Sequence, residues 1–448
     1  MRPRPVHASG TARHVSGTSP LARLLIASQF AFNVGFFAVL PYLAEHLSGA
    51  LGLGGALVGL ILGLRTFSQQ GLFVIGGALT DRYGPRPVVL AGCGLRAAGF
   101  AWLGFAESTG TVIGSVVLVG FAAALFSPAV ETELAREAVR IEEAGAAHGG
   151  KGEGPSRTRV LARFSAGGQA GTLIGPVVGA LLLYATPGGN ADGHFRAACL
   201  AGAAVFVAVL AGHWRLMPRT SPSATSAVPP ERLTLRRVMR NRRFLGLAVA
   251  YSAYLLAYNQ LYLAVPAELD RATGSQAALG WLFALSSAMV VAGQVPLDRW
   301  TSGRLSWPAS IRAGLGLIAA AFAMTGILLP VGGPWPALAF VVLLTLGQML
   351  VVPAARACVP ELVDARRLGL FTGALSSIAG LTVLVGGAPV GALLELEGPG
   401  PWWALSVIPA LGLLAVPRVG EELAPGTRSS PADGQGPTGA CAPPTRAG

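Results

Sequence analysis

Long apolar runs, almost free of charge, recur along the whole chain and are separated by short polar segments. The runs fall at residues 22–46, 52–76, 88–106, 111–130, 164–186, 195–216, 244–266, 277–297, 308–329, 336–355, 369–393 and 401–417, the last with the weakest pattern. Each approaches or exceeds the ~20 residues with which an α-helix crosses the hydrocarbon core of a bilayer. The pattern predicts an all-α integral membrane protein with twelve transmembrane helices. Composition excludes a water-soluble alternative. Of 448 residues, 52% are hydrophobic and 12% charged, against about 25% charged in soluble domains.

Charge then gives the expected orientation. Of the 33 Lys and Arg, all but four fall on one alternating set of loops and span ends. Arg196 and Arg271 lie on the other set, and Arg65 and Arg96 lie inside spans. This bias predicts a multi-pass protein of the cell (inner) membrane with both termini cytoplasmic. The formal net charge of +12 is then topological, reflecting retention and anionic-lipid contact rather than nucleic-acid binding. An arginine-containing leader can also be a signal peptide, but the first run is too long and no small-residue cleavage site follows closely. Cys93, Cys199, Cys358 and Cys441 have neither metal-ligand spacing nor a pairing pattern, so no metal site is expected.

Four features recur at nearly constant offset: Pro41 with Pro266, Pro128-Ala129 with Pro353-Ala354, Asp81-Arg82 with Asp298-Arg299, and Gly175-Pro-Val-Val-Gly179 with Gly387-Ala-Pro-Val-Gly391. Their order predicts two pseudo-symmetric six-helix bundles, residues 22–216 and 244–417, related by an axis along the membrane normal. Residues 1–21 then form a cytoplasmic tail and 217–243 a basic cytoplasmic linker. The insert beginning at Glu142-Glu143 reads as a flexible loop and 418–448 as a disordered tail. Two halves around a midplane site suit alternating access, in which one bundle rocks against the other.

The segment from Gly76 to Pro87, GGALTDRYGPRP, occupies the loop after the second span. Gly76 and Gly77 permit close helix approach, Asp81 accepts from an Arg or a helix N-terminus, Gly84 permits a tight turn, and Arg82 and Arg86 add basic charge. In the fifth span, Gly171, Gly175 and Gly179 make a bare stripe, while Pro176 frees the carbonyl of Thr172 and bends the helix. These two segments resemble the signature loop and the antiporter motif of the major facilitator superfamily. The likeness extends through GFFAVLP (Gly35 to Pro41), LGLRTFSQQGL (Leu62 to Leu72) and LRAAGF (Leu95 to Phe100) to its MdtH-type multidrug transporters. The resemblance implies a cytoplasmic gate built on Gly77, Asp81, Arg82, Gly84 and Arg86, with Glu131 or Glu133 as partners. It also implies export rather than uptake. Pro85 replaces one basic residue of the loop motif, and the first span has no carboxylate.

The remaining polar residues within spans are the candidates for a substrate cavity. Arg65 and Arg96 are functional candidates because an intramembrane charge costs at least ~2.5 kcal/mol unless it faces a cavity or a partner. Arg65 with Gln69 one turn below presents a polar face to a cavity, or else locks the bundle through backbone carbonyls. A cationic cavity favours neutral or anionic substrates over organic cations. Asn33 lies in the first span. Tyr251, Tyr254, Tyr258 and Tyr262 share one face of the seventh span, with Asn259 beside them. They either line a cavity or serve packing and anchoring. No acidic residue lies near a span centre, so proton coupling falls to a span-end acid, a histidine or a different scheme, with Glu131 and Glu133 ranked first and an ion pair with Arg86 or Arg136 as their alternative.

The expected activity is secondary transport of small amphipathic molecules by proton antiport, without a cofactor, by a monomer in the lipid bilayer. Uptake by symport is the alternative within transport. A membrane-embedded transferase is disfavoured because H-E-x-x-H, G-x-S-x-G and Walker motifs are all missing from the sequence.

Overall fold

The structure, a computed structural model, describes residues 19–147, 157–184, 191–218, 240–301, 304–362 and 368–417. Most of the N-terminal tail, the centre of the loop insert, most of the 217–243 linker and all of 418–448 lie outside these residues. Every regular element among the described residues is helical. Helix α1 (Pro20–Phe37) is capped by Ser19, whose Oγ accepts from Ala22 N at 3.0 Å, with Pro20 at the first helical position where it needs no donor. After Ala38 a 3₁₀ turn, Leu40–Tyr42, carries Pro41, and further helical turns run to Ala50.

Next come α2 (Gly55–Gln70), α3 (Phe73–Tyr83), α4 (Pro85–Gly104), α5 (Thr109–Ala147), α6 (Arg157–Tyr184) and α7 (Ala191–Leu216). The remainder is α8 (Arg242–Tyr258), a 3₁₀ turn at Asn259–Leu261, α9 (Ala264–Thr273), α10 (Leu279–Thr301), α11 (Trp307–Leu328), α12 (Trp335–Leu362), α13 (Leu368–Leu394) and α14 (Gly400–Ala415).

Among the described residues ten helices are long and apolar enough to cross a membrane. Two expected spans correspond to shorter elements. The seventh is divided between α8 and α9 at Asn259–Leu261. The last is α14, 16 residues with Pro409 inside it. Gly84, at φ 83°, ends α3 and begins α4, a backbone setting that L side chains resist.

Packing follows a repeated scheme. In the first part α1 lies against α6 and α7, α4 against α5 and α7, and α2 against α5. In the second part α8 lies against α13 and α14, α11 against α12 and α14, and α10 against α12. Each pairing in the first group has its counterpart in the second. Two seams, α2 with α13 and α6 with α10, join the groups.

Lipid tails are as apolar as leucine, so helices in a bilayer associate through close packing, and small residues allow it. At α2–α13 this reaches the main chain. A Cβ on Gly55 would stand 2.6 Å from the Gly391 carbonyl oxygen, and one on Gly59 would overlap the Gly387 carbonyl. On Gly63 it would meet the Val383 carbonyl oxygen at 2.9 Å. At the same end Gly55 N donates to Glu395 Oε1 at 2.5 Å, and Tyr184 donates to Glu45. At the opposite helix ends Glu131 on α5 and Arg356 on α12 are exposed.

Candidate functional site

Where the two helix groups face each other they enclose a cavity of about 300 Å³. α1 contributes Gln29, Phe32, Asn33, Phe36 and Phe37, and α2, α4 and α6 add Gln69, Arg96, Gln169 and Thr172. From the other group come Tyr258, Phe283, Ser286, Ser287 and Gln348. The wall therefore alternates rings with amides and hydroxyls. Small-molecule sites have this make-up, with apolar surface for affinity and a few polar groups for orientation. Among the described residues no carboxylate lines it.

Arg96 is the most unusual of these groups. It is 1% exposed, and neither Nε nor Nη1 meets a hydrogen-bond partner. Its guanidinium carbon sits 4.1 Å from the Phe32 ring centroid, 4.4 Å from Phe36, 5.3 Å from Phe206 and 5.9 Å from Phe100. The cage is itself tightly set, with Phe32 stacked on Phe126 at 4.1 Å and edge-on to Phe206 at 5.2 Å. Cation–π attraction of about 0.5–2 kcal/mol per ring offsets part of the desolvation of a buried guanidinium.

Arg65 stands behind the wall. Its Nη2 donates to Gln69 Oε1 at 2.9 Å, and its guanidinium lies 5.1 Å from the Phe36 ring and 5.7 Å from Tyr262. Phe36 thus serves both arginines. Thr66, next to Arg65, donates to Asn259 Oδ1 at 2.8 Å, a buried bond that ties α2 to the break between α8 and α9.

The tyrosine face is a continuous ladder with centroid spacings of 5.5, 5.9 and 6.0 Å, extended by Tyr262 to Phe283 at 5.3 Å. Only Tyr258 of the four lines the cavity. Tyr254 and Tyr262 are buried in packing, and Tyr251 is half-buried. Asn33 donates to Gly168 O at 2.8 Å and holds α1 to α6.

The α6 glycine stripe faces α1. A Cβ on Gly175 would stand 2.7 Å from Phe37 Cβ, and Cβ atoms on Gly171 and Gly179 would overlap the carbonyls of Phe30 and Ala38. The carbonyl of Pro176 accepts from Tyr42 Oη at 2.6 Å. A Cβ on Gly280 of α10 would lie 2.9 Å from that same hydroxyl, so the proline bend is also where α10 approaches α6.

The loop residues are arranged differently from the expected network. Gly76 alone supports close approach, its Cβ position overlapping the Ala124 carbonyl, while nothing lies within 4 Å of one on Gly77. Asp81 and Arg82 are exposed, and Arg82 lies 5.3 Å from the Tyr83 ring. Arg86 Nη2 donates to Trp214 O at 2.7 Å and does not meet Glu131 or Glu133. Glu133, 1% exposed, is 3.6 Å from Arg140 and 3.9 Å from Arg136 of its own helix. Glu131 lies within the electrostatic reach of Arg356 on α12.

Reading the sequence alone missed the α2 stripe at Gly55, Gly59 and Gly63, although the four-residue spacing was there to be counted. It also missed Gln29, Gln169 and Gln348, which carry no signal without the fold.

The chain belongs to the Major Facilitator Superfamily, whose family model matches residues 25–387. It is similar to an uncharacterized MFS-type transporter of Mycobacterium tuberculosis (strain ATCC 25618 / H37Rv), 34% identical over 384 residues, 84% of this chain and 86% of the relative. It is also similar to the multidrug resistance protein MdtH of Yersinia pestis (strain Pestoides F), 31% identical over 389 residues, 84% of this chain and 88% of the relative. Among solved structures, a peptide transporter POT in complex with sulfate superposes with TM-score 0.69 at 18% identity, covering 90% of this chain and 94% of that one. The nucleoside transporter NupG superposes with TM-score 0.68 at 13% identity, covering 89% and 98%. These superpositions establish the fold. As a member of this superfamily the chain is a multi-pass membrane transporter and not an enzyme.

Proposed function

We propose that this transporter exports small amphipathic molecules in exchange for protons, by alternating access of two pseudo-symmetric six-helix bundles, residues 22–216 and 244–417. The observation that carries this reading is the cavity itself: a wall of rings, amides and a buried cation to which both helix groups contribute. The matched pairings of the two groups support the two-bundle reading, with α8 plus α9 as the seventh span and α14 as the twelfth. Likeness to MdtH, together with the Gly171, Gly175, Pro176 and Gly179 stripe, favours export.

The protein works as a monomer in the inner membrane with both termini cytoplasmic, as its basic loops favour. The end bearing Tyr42, Glu45 and Gly55 then faces outward and is closed by the α2–α13 seam. The end bearing Asp81 and Glu131 faces the cytoplasm. The exposed Asp81 and Arg82 and the half-buried Arg86 engage the α5 end when that side closes. Glu131 is the favoured proton carrier, since Glu133 is committed to Arg136 and Arg140 of its own helix while Glu131 is exposed opposite Arg356 across the two groups.

The test is substrate-triggered proton flux in proteoliposomes loaded with a pH dye, across hydrophobic drugs, sugars and amino acids. Proton movement opposite to a drug, lost in Asp81→Ala, is the expected outcome. Movement in the same direction as a sugar or amino acid replaces export with uptake.

A further inference from the structure

The cavity holds a cation without a counter-ion. Arg96 is 1% exposed, and among the described residues two of its nitrogens meet no acceptor and no carboxylate shares the wall. Ring faces stabilise the guanidinium plane but do not satisfy its N–H groups, which point along the plane and require acceptors. A second cation lies close by, since Arg65 and Arg96 approach the same Phe36 ring. Arg65 also fixes the polarity of its neighbour. Its donation to Gln69 Oε1 at 2.9 Å uses one lone pair of that oxygen and leaves both amide hydrogens of Gln69 to offer to the cavity it lines. Beside these donors stand the rings of Phe37 and Tyr258, while Phe32 is held between Arg96 and Phe126.

We infer that the cavity receives an aromatic acid, its anionic head against Arg96 and Gln69 and its ring between the phenyl groups of α1 and Tyr258, with Arg96 as the specificity-determining residue. This rests on the transport reading for its cargo, and narrows "amphipathic" to one charge class. A guanidinium binds a carboxylate through paired, charge-assisted hydrogen bonds. The free cavity lacks that partner, and an anionic ligand supplies it. An organic ammonium would add a third cation to a site that already has two.

The experiment compares three probes of nearly equal shape, 2-naphthoate, 2-naphthamide and 2-naphthylmethylammonium, by thermal protection of the full chain in nanodiscs. The expected order is naphthoate tightest by roughly tenfold or more over the amide, and the ammonium weakest. Arg96→Gln reduces naphthoate affinity by about tenfold and naphthamide affinity by much less, and Arg96→Lys keeps the preference for the acid. Equal affinity for acid and amide, no protection by naphthoate, or an acid preference that survives Arg96→Gln overturns the assignment. Should Arg96→Gln fail to fold, the wild-type order and Arg96→Lys still decide it. Lack of export in proteoliposomes with the acid preference intact would remove the transport direction and leave the site. Efflux of neutral drugs without that preference would do the reverse.

Discussion

Replacing Gly59 by Ala puts one carbon where α2 and α13 touch main chain to main chain. The new Cβ would overlap the Gly387 carbonyl oxygen and stand 2.8 Å from its carbon. Carbon atoms rest at about 3.5–4.0 Å, so the helices must separate locally by roughly 0.7–1.2 Å. Both elements are rigid helices, and no flexible side chain lies between them to yield. Over-packing of this kind costs about 1–3 kcal/mol, which is roughly a 5- to 150-fold change in an equilibrium. Because the seam holds one end of the cavity shut, the cost falls on the conformation closed there and shifts the population toward opening. Spin labels at Ser48 and Leu396, both exposed near this end, report the change by pulsed dipolar spectroscopy in a chain with its native cysteines replaced. Gly59→Ala should raise a longer-distance component and lower Tm. Gly94→Ala, where a Cβ meets nothing within 4 Å, is the matched control. An unchanged distance distribution and Tm for Gly59→Ala would refute the account of the seam.

Four further outcomes follow from single contacts. Tyr42→Phe removes the donor to Pro176 O from a side chain 1% exposed; the carbonyl keeps its bond within α6, so the loss of this second hydrogen bond should cost about 0.5–1.5 kcal/mol, read as a lower Tm. Gly84→Ala forces an L side chain to φ 83° between α3 and α4 and should cost about 1–2 kcal/mol in the same measurement. Thr66→Val keeps the side-chain shape and deletes the bond to Asn259, which should loosen α2 from the α8–α9 break and raise hydrogen exchange at Asn259–Leu261. Glu131→Gln should abolish proton flux while sparing substrate exchange, whereas Glu133→Gln should spare both and lower Tm, since Arg140 keeps Glu137 at 3.1 Å.

Hydropathy made the helical membrane architecture legible because bilayer thickness dictates the length of an apolar run. It placed α4, α7, α10, α11 and α13 within a few residues, but ended the fourth span at 130 where α5 runs on to Ala147 and assigned Gly76 to Tyr83 to a loop where α3 is still helical, because polar residues continue a helix beyond the apolar run. It did not resolve the break at Asn259–Leu261, because a 3₁₀ turn inside an apolar run leaves hydropathy unchanged. Arg96, Gln69, Asn33 and Tyr258 were legible as polar residues out of place, and the fold brings those four to one cavity. The tyrosine face was read correctly as a ladder, yet spacing alone cannot say which rung meets open space. The pairing of Arg86 with the Trp214 carbonyl was illegible because a main-chain acceptor carries no sequence signature. Gly77 matches a motif position without a close contact in this conformation, while its neighbour Gly76 has one.

Where Gly55 and Gly59 of α2 meet Gly387 and Gly391 of α13, peptide groups face peptide groups with no side chains between them. Such a surface has no rotamers to freeze on closing or release on opening. Movement there is thus free of the entropic drag that interdigitated side chains impose. The temperature dependence of the opening equilibrium is therefore set by hydration of the cavity walls and by the polar ties at the rim, and the seam itself acts as a smooth bearing.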